Sequence, residues 1–153
     1  MGLSQRESGS LLDAIPHREP FLFVDEVIET SESRIVTKKL LDPSADFFRG
    51  HYPGRPIMPG VLLCECCFQA GALLISHRQG GWSWTDGTPV LTRISDARFK
   101  RAVRPGDTVT CEVTLDDTLE RAFVMTGKAS VDGVLALRVE FTCMLAELEE
   151  RGA

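Results

Sequence analysis

One segment decides the fold, residues 50–75, and it reads GHYPGRPIMPGVLLCECCFQAGALLI. Its first half contains three prolines, each of which fixes φ at about −65°, so a stiff loop is predicted there. Its second half is apolar for about four turns, which predicts a helix buried on nearly every face. A single carboxylate, Glu65, lies within that helix. The segment therefore predicts a rigid loop that leads into the core helix of the domain.

The ends of this helix carry recognisable signals. Pro59 suits the first helical position, where a missing N–H costs nothing. His77 and Arg78 place positive charge at the C-terminal end, and Gly80-Gly81 stops the helix. A second, short helix is predicted over Ser10–Ala14, because the residue before Pro16 avoids the α region.

The sequence on either side of the core helix predicts strands. Two of them form a hairpin, Phe21–Glu29 and Arg34–Leu40. Four more follow the helix, at Pro89–Ile94, Asp107–Leu115, Arg121–Ser130 and Val134–Leu145. Turns are predicted at Pro105-Gly106-Asp107, Asp116-Asp117 and Asp132-Gly133. Short turns favour an antiparallel meander, so an α+β fold is predicted in which the sheet wraps around the helix.

Size and composition indicate one soluble domain. We assign all 153 residues to it, with a core over about residues 11–145, because a chain of this length buries most of its apolar surface in one core. A net charge of −5 argues against a nucleic-acid-binding protein. The apolar run Val61–Ile75 is short for a membrane span, and the first ten residues are polar. A soluble, cytoplasmic protein is expected.

The five cysteines are odd in number, and three of them lie in the predicted core helix, where they cannot all pair. A reducing compartment and buried, apolar thiols are therefore expected. No second pair of cysteines or histidines follows at zinc-finger spacing, so no metal site is predicted.

A basic stretch lies between residues 93 and 104 of this acidic chain. It holds five cations against the single acid Asp96, namely Arg93, Arg98, Lys100, Arg101 and Arg104. Such a cluster favours an anionic partner, either a phosphate group or an acidic protein surface. The alternative is a solvated strand face.

His51 and Glu65 form a candidate acid/base pair. Histidine titrates near neutrality and can take a proton, whereas desolvation in the helix should raise the pKa of Glu65 and let it donate one. The free amides at the helix start, near Gly60 and Val61, could stabilise a developing oxyanion. These groups suit proton abstraction next to a carbonyl, coupled to loss or gain of a hydroxyl group.

Plainer interpretations of the same residues remain open. His51 could be a hydrogen-bonded structural histidine, and Glu65 could cap a strand or pair with an arginine such as Arg98. Nucleophilic catalysis by a cysteine is disfavoured, since apolar surroundings raise the pKa of a thiol. His17 and His77 are both interpreted as structural residues.

Three segments of the chain resemble the (3R)-hydroxyacyl-acyl-carrier-protein dehydratases of type II fatty acid synthesis. The resemblance runs in order from about Leu11 to Leu145. The segments are PHREPFLFVD at 16–25, FFRGHYPGRPIMPGVL at 47–62 followed by Glu65 and Gln69, and ARFKR at 97–101 followed by Pro105-Gly106-Asp107. The long His-Tyr-Pro-Gly pattern is the most specific of these.

The resemblance implies a hot-dog fold, assembled as a dimer or a trimer of dimers, in which His51 and Glu65 meet across the dimer interface. It implies that His51 removes the C2 proton of a 3-hydroxyacyl thioester and that Glu65 protonates or orients the leaving hydroxyl. The amide of Gly60 would hold the thioester oxygen. Carrier-protein docking is implied for Arg98, Lys100 and Arg101, and no cofactor is implied.

Two residue differences bear on the reaction and on the acyl chain, and two rival functions share the fold. A sister family that also isomerises the double bond has aspartate at the position of Glu65, so the glutamate favours dehydration alone. Cys66-Cys67-Phe68 replaces the small or aliphatic residues usual in the family, which leaves the acyl-chain length open. The rival functions are a hot-dog thioesterase and a non-catalytic acyl-binding subunit.

Overall fold

The computed structural model describes residues 14–79 and 87–147. The elements in these ranges are β1 (Glu26–Thr30), β2 (Arg34–Leu40), α1 (Asp46–Gly50), α2 (Gly60–Arg78), β3 (Thr88–Phe99), β4 (Thr108–Leu119), β5 (Ala122–Val131) and β6 (Val134–Ala146). The strands form one antiparallel sheet in the order β1-β2-β4-β5-β6-β3. The predicted α+β, hot-dog arrangement is thereby confirmed.

Helix α2 is the core of the domain. Its residues from Leu63 to Ser76 are buried apart from Glu65, and it contacts strands β2 to β6. In β5 a Cβ at Gly127 would lie 2.8 Å from the Cβ of Cys67, so only glycine lets the strand approach the helix this closely. Helix α2 is long and apolar enough to cross a membrane, but 72% of its most apolar 18-residue stretch is buried inside the fold. It is therefore a core helix.

The sheet curls around α2 with the help of β-bulges. The pairing of β3 with β6 shifts register between Leu91 and Arg93 and again between Ile94 and Asp96. An extra residue on one strand bends that strand and increases its twist. The long strands can therefore follow the surface of the helix.

The strand ends correct one predicted turn. Asp116-Asp117 does not form a turn; the register shifts there, and β4 continues to Leu119. The chain instead reverses after Glu120, whose φ is 54°. The Asp132-Gly133 turn is confirmed, since both residues have positive φ, as a two-residue hairpin turn requires.

The first strand is shorter than predicted, because β1 begins at Glu26 and not at Phe21. The backbone of this earlier stretch bonds instead to a side chain of α2: Gln69 accepts from the N–H of Phe23 and donates to the carbonyl of Phe21. The helix predicted over Ser10–Ala14 lies mostly outside the described residues, as does Gly80-Gly81. The short helix α1 is not evident in the sequence pattern.

All five cysteines are free and buried, in agreement with the expectation of apolar thiols. Burial raises the pKa of Cys64 to about 11 and that of Cys143 to about 12. Thiols in this state are poor nucleophiles. Cys66 and Cys67 are fully buried, so this departure from the family pattern lies in the core.

Candidate active site

Backbone hydrogen bonds hold the loop that carries His51. The amide of His51 donates to the carbonyl of Phe47 in α1 at 3.1 Å, and the amide of Met58 donates to Val103 beyond β3 at 2.7 Å. Between these points the Arg55 amide donates to Tyr52 at 3.0 Å. Tyr52 itself has a φ of 60°, which non-glycine residues rarely adopt. The loop is thus tied to the fold at both ends and has a defined internal turn.

The imidazole of His51 is half-buried, and its hydrogen bond sets its tautomer. Nδ1 lies 2.8 Å from the carbonyl oxygen of Ile57. A carbonyl oxygen can only accept, so the neutral ring carries its proton on Nδ1 and has a lone pair on Nε2. The ring also packs against Tyr52, with the centroids 4.5 Å apart. His51 can therefore take a proton on Nε2 without losing its bond to Ile57.

Glu65 lies in the second turn of α2, with 19% of its side chain exposed. Burial raises the pKa of this carboxyl group, and the hydrogen bond from Gln69 opposes the rise. The Gln69 Nε2 lies 3.2 Å from Glu65 Oε1. A carboxyl group with a raised pKa can act as a proton donor nearer to neutral pH.

Sequence reasoning missed the position of His17. Its Nε2 lies 3.6 Å from Glu65 Oε1, although the two residues are far apart in the chain. Burial lowers the pKa of His17, and the adjacent Arg18 lowers it further. No periodic pattern signals this contact; the available hint was the presence of Pro16-His17-Arg18 among the segments that resemble the dehydratases.

One chain does not bring His51 and Glu65 into contact. Among the described residues, Glu65 is paired with His17 and Gln69, whereas the ring of His51 bonds to Ile57. Arg98, an alternative partner for the glutamate, pairs with Asp96 at 3.0 Å. Both candidate catalytic groups are thus oriented by their own local contacts, separately from each other.

A groove of about 410 Å³ opens beside the start of α2. Its lining joins the loop before the helix to the end of β3, and comprises Ile57, Met58, Gly60, Leu63, Phe99, Lys100, Arg101, Ala102 and Val103. A Cβ at Gly60 would lie 2.8 Å from Cε1 of Phe99, so glycine allows the ring to cover the helix start closely.

The first amides of α2 are available for a ligand. The earliest helix amides that donate to the chain are those of Leu62 and Leu63, both to the carbonyl of Pro59. Within the described ranges the amides of Gly60 and Val61 have no acceptor, as expected at a helix N-terminus. Gly60 lines the groove, whereas the Val61 side chain is exposed and outside the lining.

The three predicted docking cations have different positions. Lys100 and Arg101 line the groove next to Gly60, and both of their amides donate to the carbonyl of Ala136. Arg98 lies outside the lining and forms the exposed ion pair with Asp96. The groove therefore combines the free helix amide of Gly60 with two cations in its lining, which suits an anionic or phosphate-bearing ligand.

The fold and this groove define a class of protein. Residues 15–140 match the FabA-like domain, so the chain belongs to the FabA-like family. A solved structure titled the dehydratase heterocomplex ApeI:P from Xenorhabdus doucetiae has the same fold, with a TM-score of 0.75 at 15% identity over 90% of this chain and 91% of that one.

Within the family, the similar curated proteins are of one kind. The 3-hydroxyacyl-[acyl-carrier-protein] dehydratase FabZ of Thermomicrobium roseum is 41% identical over 94% of this chain and 95% of its own length. FabZ of Aromatoleum aromaticum is 40% identical over 90% of this chain and 96% of its own. The chain is thus a member of the FabZ dehydratases.

Replacing Gln69 with leucine should destabilise the protein by about 2–4 kcal/mol, because the fully buried amide satisfies the N–H of Phe23 and the carbonyl of Phe21. Urea unfolding of Gln69→Leu measures this change. The matched control is Gln79→Leu, the same substitution at an exposed glutamine, which should alter the free energy of unfolding by less than about 0.5 kcal/mol. Equal effects in the two variants would contradict the assigned role of Gln69.

Proposed function

We propose that this chain dehydrates (3R)-hydroxyacyl thioesters of acyl carrier protein to trans-2-enoyl thioesters in fatty acid biosynthesis, with His51 as base and Glu65 as acid. The FabZ relatives are named for dehydratase activity on this substrate class. The residue assignment rests on one contrast: the imidazole of His51 has a free Nε2 that can take a proton, whereas burial raises the pKa of the Glu65 carboxyl group, so that it can give one. A hydro-lyase needs one group of each kind.

The proposed reaction uses each group once. Nε2 of His51 takes the C2 proton, the C2–H electrons form the C2=C3 bond, and the C3 hydroxyl leaves with the proton of Glu65 as water. Negative charge that develops on the thioester oxygen is met by the free amide of Gly60. Both proton transfers use side chains, so the reaction needs no cofactor.

We propose that the site is completed by a homodimer. Strand β3 is an edge strand of twelve residues, and it exposes Ile94 and Phe99 by 50% and 53%. A long, apolar edge is normally covered by another strand. Pairing of β3 with a partner copy would cover this edge, and His51 of one chain could then face Glu65 of the other. A trimer of such dimers is the larger assembly that the family resemblance implies.

The carrier protein is proposed to dock at Lys100 and Arg101, so that its phosphopantetheine arm enters the groove toward Gly60. The exposed side chain of Arg98 would add to the same basic surface, although its ion pair with Asp96 partly neutralises its charge. A cytoplasmic location is proposed as well, because five buried free thiols suit a reducing compartment.

The double variant Lys100→Glu/Arg101→Glu is expected to raise KM for an acyl-carrier-protein substrate roughly tenfold and to leave kcat nearly unchanged, since surface charges act mainly on encounter. With a short pantetheine thioester that lacks protein and phosphate, KM should change little. Steady-state kinetics with both substrates test this. The control is Lys128→Glu, a charge reversal on β5 outside the groove; an equal rise in KM there would argue against a local docking site.

A single incubation tests the proposed function. The protein is mixed with 3-hydroxyacyl- or trans-2-enoyl-acyl-carrier protein, and the product is followed by mass. Loss or gain of one water supports the dehydratase, and release of the free carrier thiol supports the thioesterase. An unchanged substrate that stays bound supports the acyl-binding subunit. The same assay with several acyl lengths measures the chain-length preference.

A further inference from the structure

Residues 15–23, called the N-terminal segment here, are hydrogen-bonded to the face of α2 that carries Glu65. The Gln69 side chain makes three contacts there: Oε1 accepts from the Phe23 amide at 2.7 Å, and Nε2 lies 2.9 Å from the Phe21 carbonyl and 3.2 Å from Glu65 Oε1. One buried amide thus links the segment to the carboxyl group. The segment cannot move without disturbing the surroundings of Glu65.

The N-terminal segment also holds the side chain of His17 beside Glu65. The guanidinium of Arg18 donates to the carbonyls of Ile15 and His17, at 2.9 and 2.7 Å, and these two bonds fix the backbone of residues 15–18. As a result His17 is largely buried, with 24% of its side chain exposed and Nε2 directed at Glu65 Oε1. The separation of 3.6 Å is just beyond hydrogen-bond length.

The other ring nitrogen of His17 limits the possible tautomers. Nδ1 is buried and has no hydrogen-bond partner among the described residues. A buried N–H without an acceptor is costly, so the favoured neutral tautomer carries its proton on Nε2. Burial and Arg18 both lower the pKa of His17, which favours this neutral form near pH 7. His17 therefore offers Glu65 a donor.

We propose that His17 is a positioning residue: its Nε2–H, 3.6 Å from Glu65 Oε1, acts electrostatically on that oxygen beside the hydrogen bond from Gln69, and the two together leave the acidic proton on Oε2. Two donors that converge on one carboxyl oxygen favour that oxygen as the carbonyl end of the acid. The proton is then carried by Oε2, the oxygen that would meet the leaving hydroxyl in the proposed reaction. This inference rests on the proposed role of Glu65 as the acid.

Several other groups face Glu65 and must be allowed for in a pH study. Cys64 and Cys66 flank it on α2, Cys143 approaches from β6, and the partner protomer's His51 would face it in the proposed dimer. Burial raises the pKa of Cys64 to about 11 and of Cys143 to about 12, while a hydrogen bond with Cys111, followed by burial, holds the pKa of Cys66 well above its ordinary value. The thiols therefore stay neutral below about pH 9.

Two substitutions separate positioning from simple packing. Glutamine at position 17 places an amide nitrogen near the location of Nε2, whereas asparagine reaches only the location of Nδ1. We expect His17→Asn to lower kcat about tenfold with little change in KM, and His17→Gln to retain most of the activity. His77→Gln, at an exposed histidine near the end of α2, should behave as wild type.

The pH profile gives a readout that packing alone would not move. A donor to the carboxylate lowers its pKa, so loss of the donor in His17→Asn should shift the basic limb of kcat upward by roughly half a pH unit. The carboxyl stretch of Glu65 in infrared spectra, assigned by its loss in Glu65→Gln, follows the same titration without turnover. Thermal unfolding identifies any variant that fails to fold.

The possible results are distinguishable. If the wild-type protein does not interconvert hydroxyacyl and enoyl thioesters, the proposed function fails. If the wild type is active but His17→Asn matches it in kcat and in the titration of Glu65, the positioning role is overturned. Equal losses in His17→Asn and His17→Gln would also overturn it, because the glutamine keeps the donor.

Discussion

Replacing His51 with alanine is expected to lower kcat for dehydration by about 10³-fold, because general-base catalysis typically contributes about 10²–10⁴-fold. The loop should keep its shape, since the bonds at Phe47 and Met58 involve only backbone atoms. Loss of the ring's hydrogen bond to the Ile57 carbonyl should lower the free energy of unfolding by only about 1 kcal/mol, so folding and assembly should be retained. The rate of enoyl-thioester formation, measured by mass at saturating substrate, tests the prediction.

The control for this variant is His77→Ala, which removes an exposed imidazole from the end of α2. It should retain wild-type kcat. A residual activity in His51→Ala above about one tenth of wild type would mean that another group removes the C2 proton.

Replacing Glu65 with glutamine is expected to reduce kcat about 10²–10⁴-fold, since the amide keeps the shape of the side chain but cannot donate an acidic proton. The same substitution should increase the free energy of unfolding at neutral and higher pH. Burial raises the pKa of Glu65 in the folded protein, so its ionised form is disfavoured there. The wild type therefore loses stability as the pH rises from the unfolded pKa through the folded one.

Glu65→Gln has no such titration. Urea unfolding should show the variant to be more stable than wild type above the folded pKa of Glu65, and the advantage should vanish below the ordinary pKa of a glutamate. Loss of activity together with a gain in stability is typical of a residue retained for function. A variant that is inactive and also less stable at every pH would indicate a structural role for Glu65.

The elements with strong periodicity could be predicted from the sequence. The predicted bounds of helix α2 and of strands β5 and β6 agree with the structure to within a residue or two, because their apolar patterns are unambiguous, whereas β3 and β4 continue to Phe99 and Leu119, five and four residues past their predicted ends. The turn near Asp116 was wrong because a bulge and a turn attract the same polar residues. The strand expected at Phe21 failed because a tertiary contact from Gln69 replaces its ladder bonds.

The candidate site was only partly accessible from the sequence. Loop and helix chemistry pointed to His51, Glu65 and Gly60, but the contact between His17 and Glu65 depends on how two distant segments pack. Likewise, Lys100, Arg101 and Arg98 look alike in sequence. Their positions differ because β3 ends at Phe99 and the chain then turns along the groove, while Arg98 remains in the strand beside Asp96.

The central proposal is that each active site takes His51 from one protomer and Glu65 from the other. Mixing unfolded His51→Ala and Glu65→Gln chains and refolding them together tests it most directly. In a twofold dimer half of the products are hybrids, and each hybrid has one intact site, so about one quarter of wild-type activity should return. If native mass spectrometry finds the hybrids and activity does not return, the shared site is contradicted.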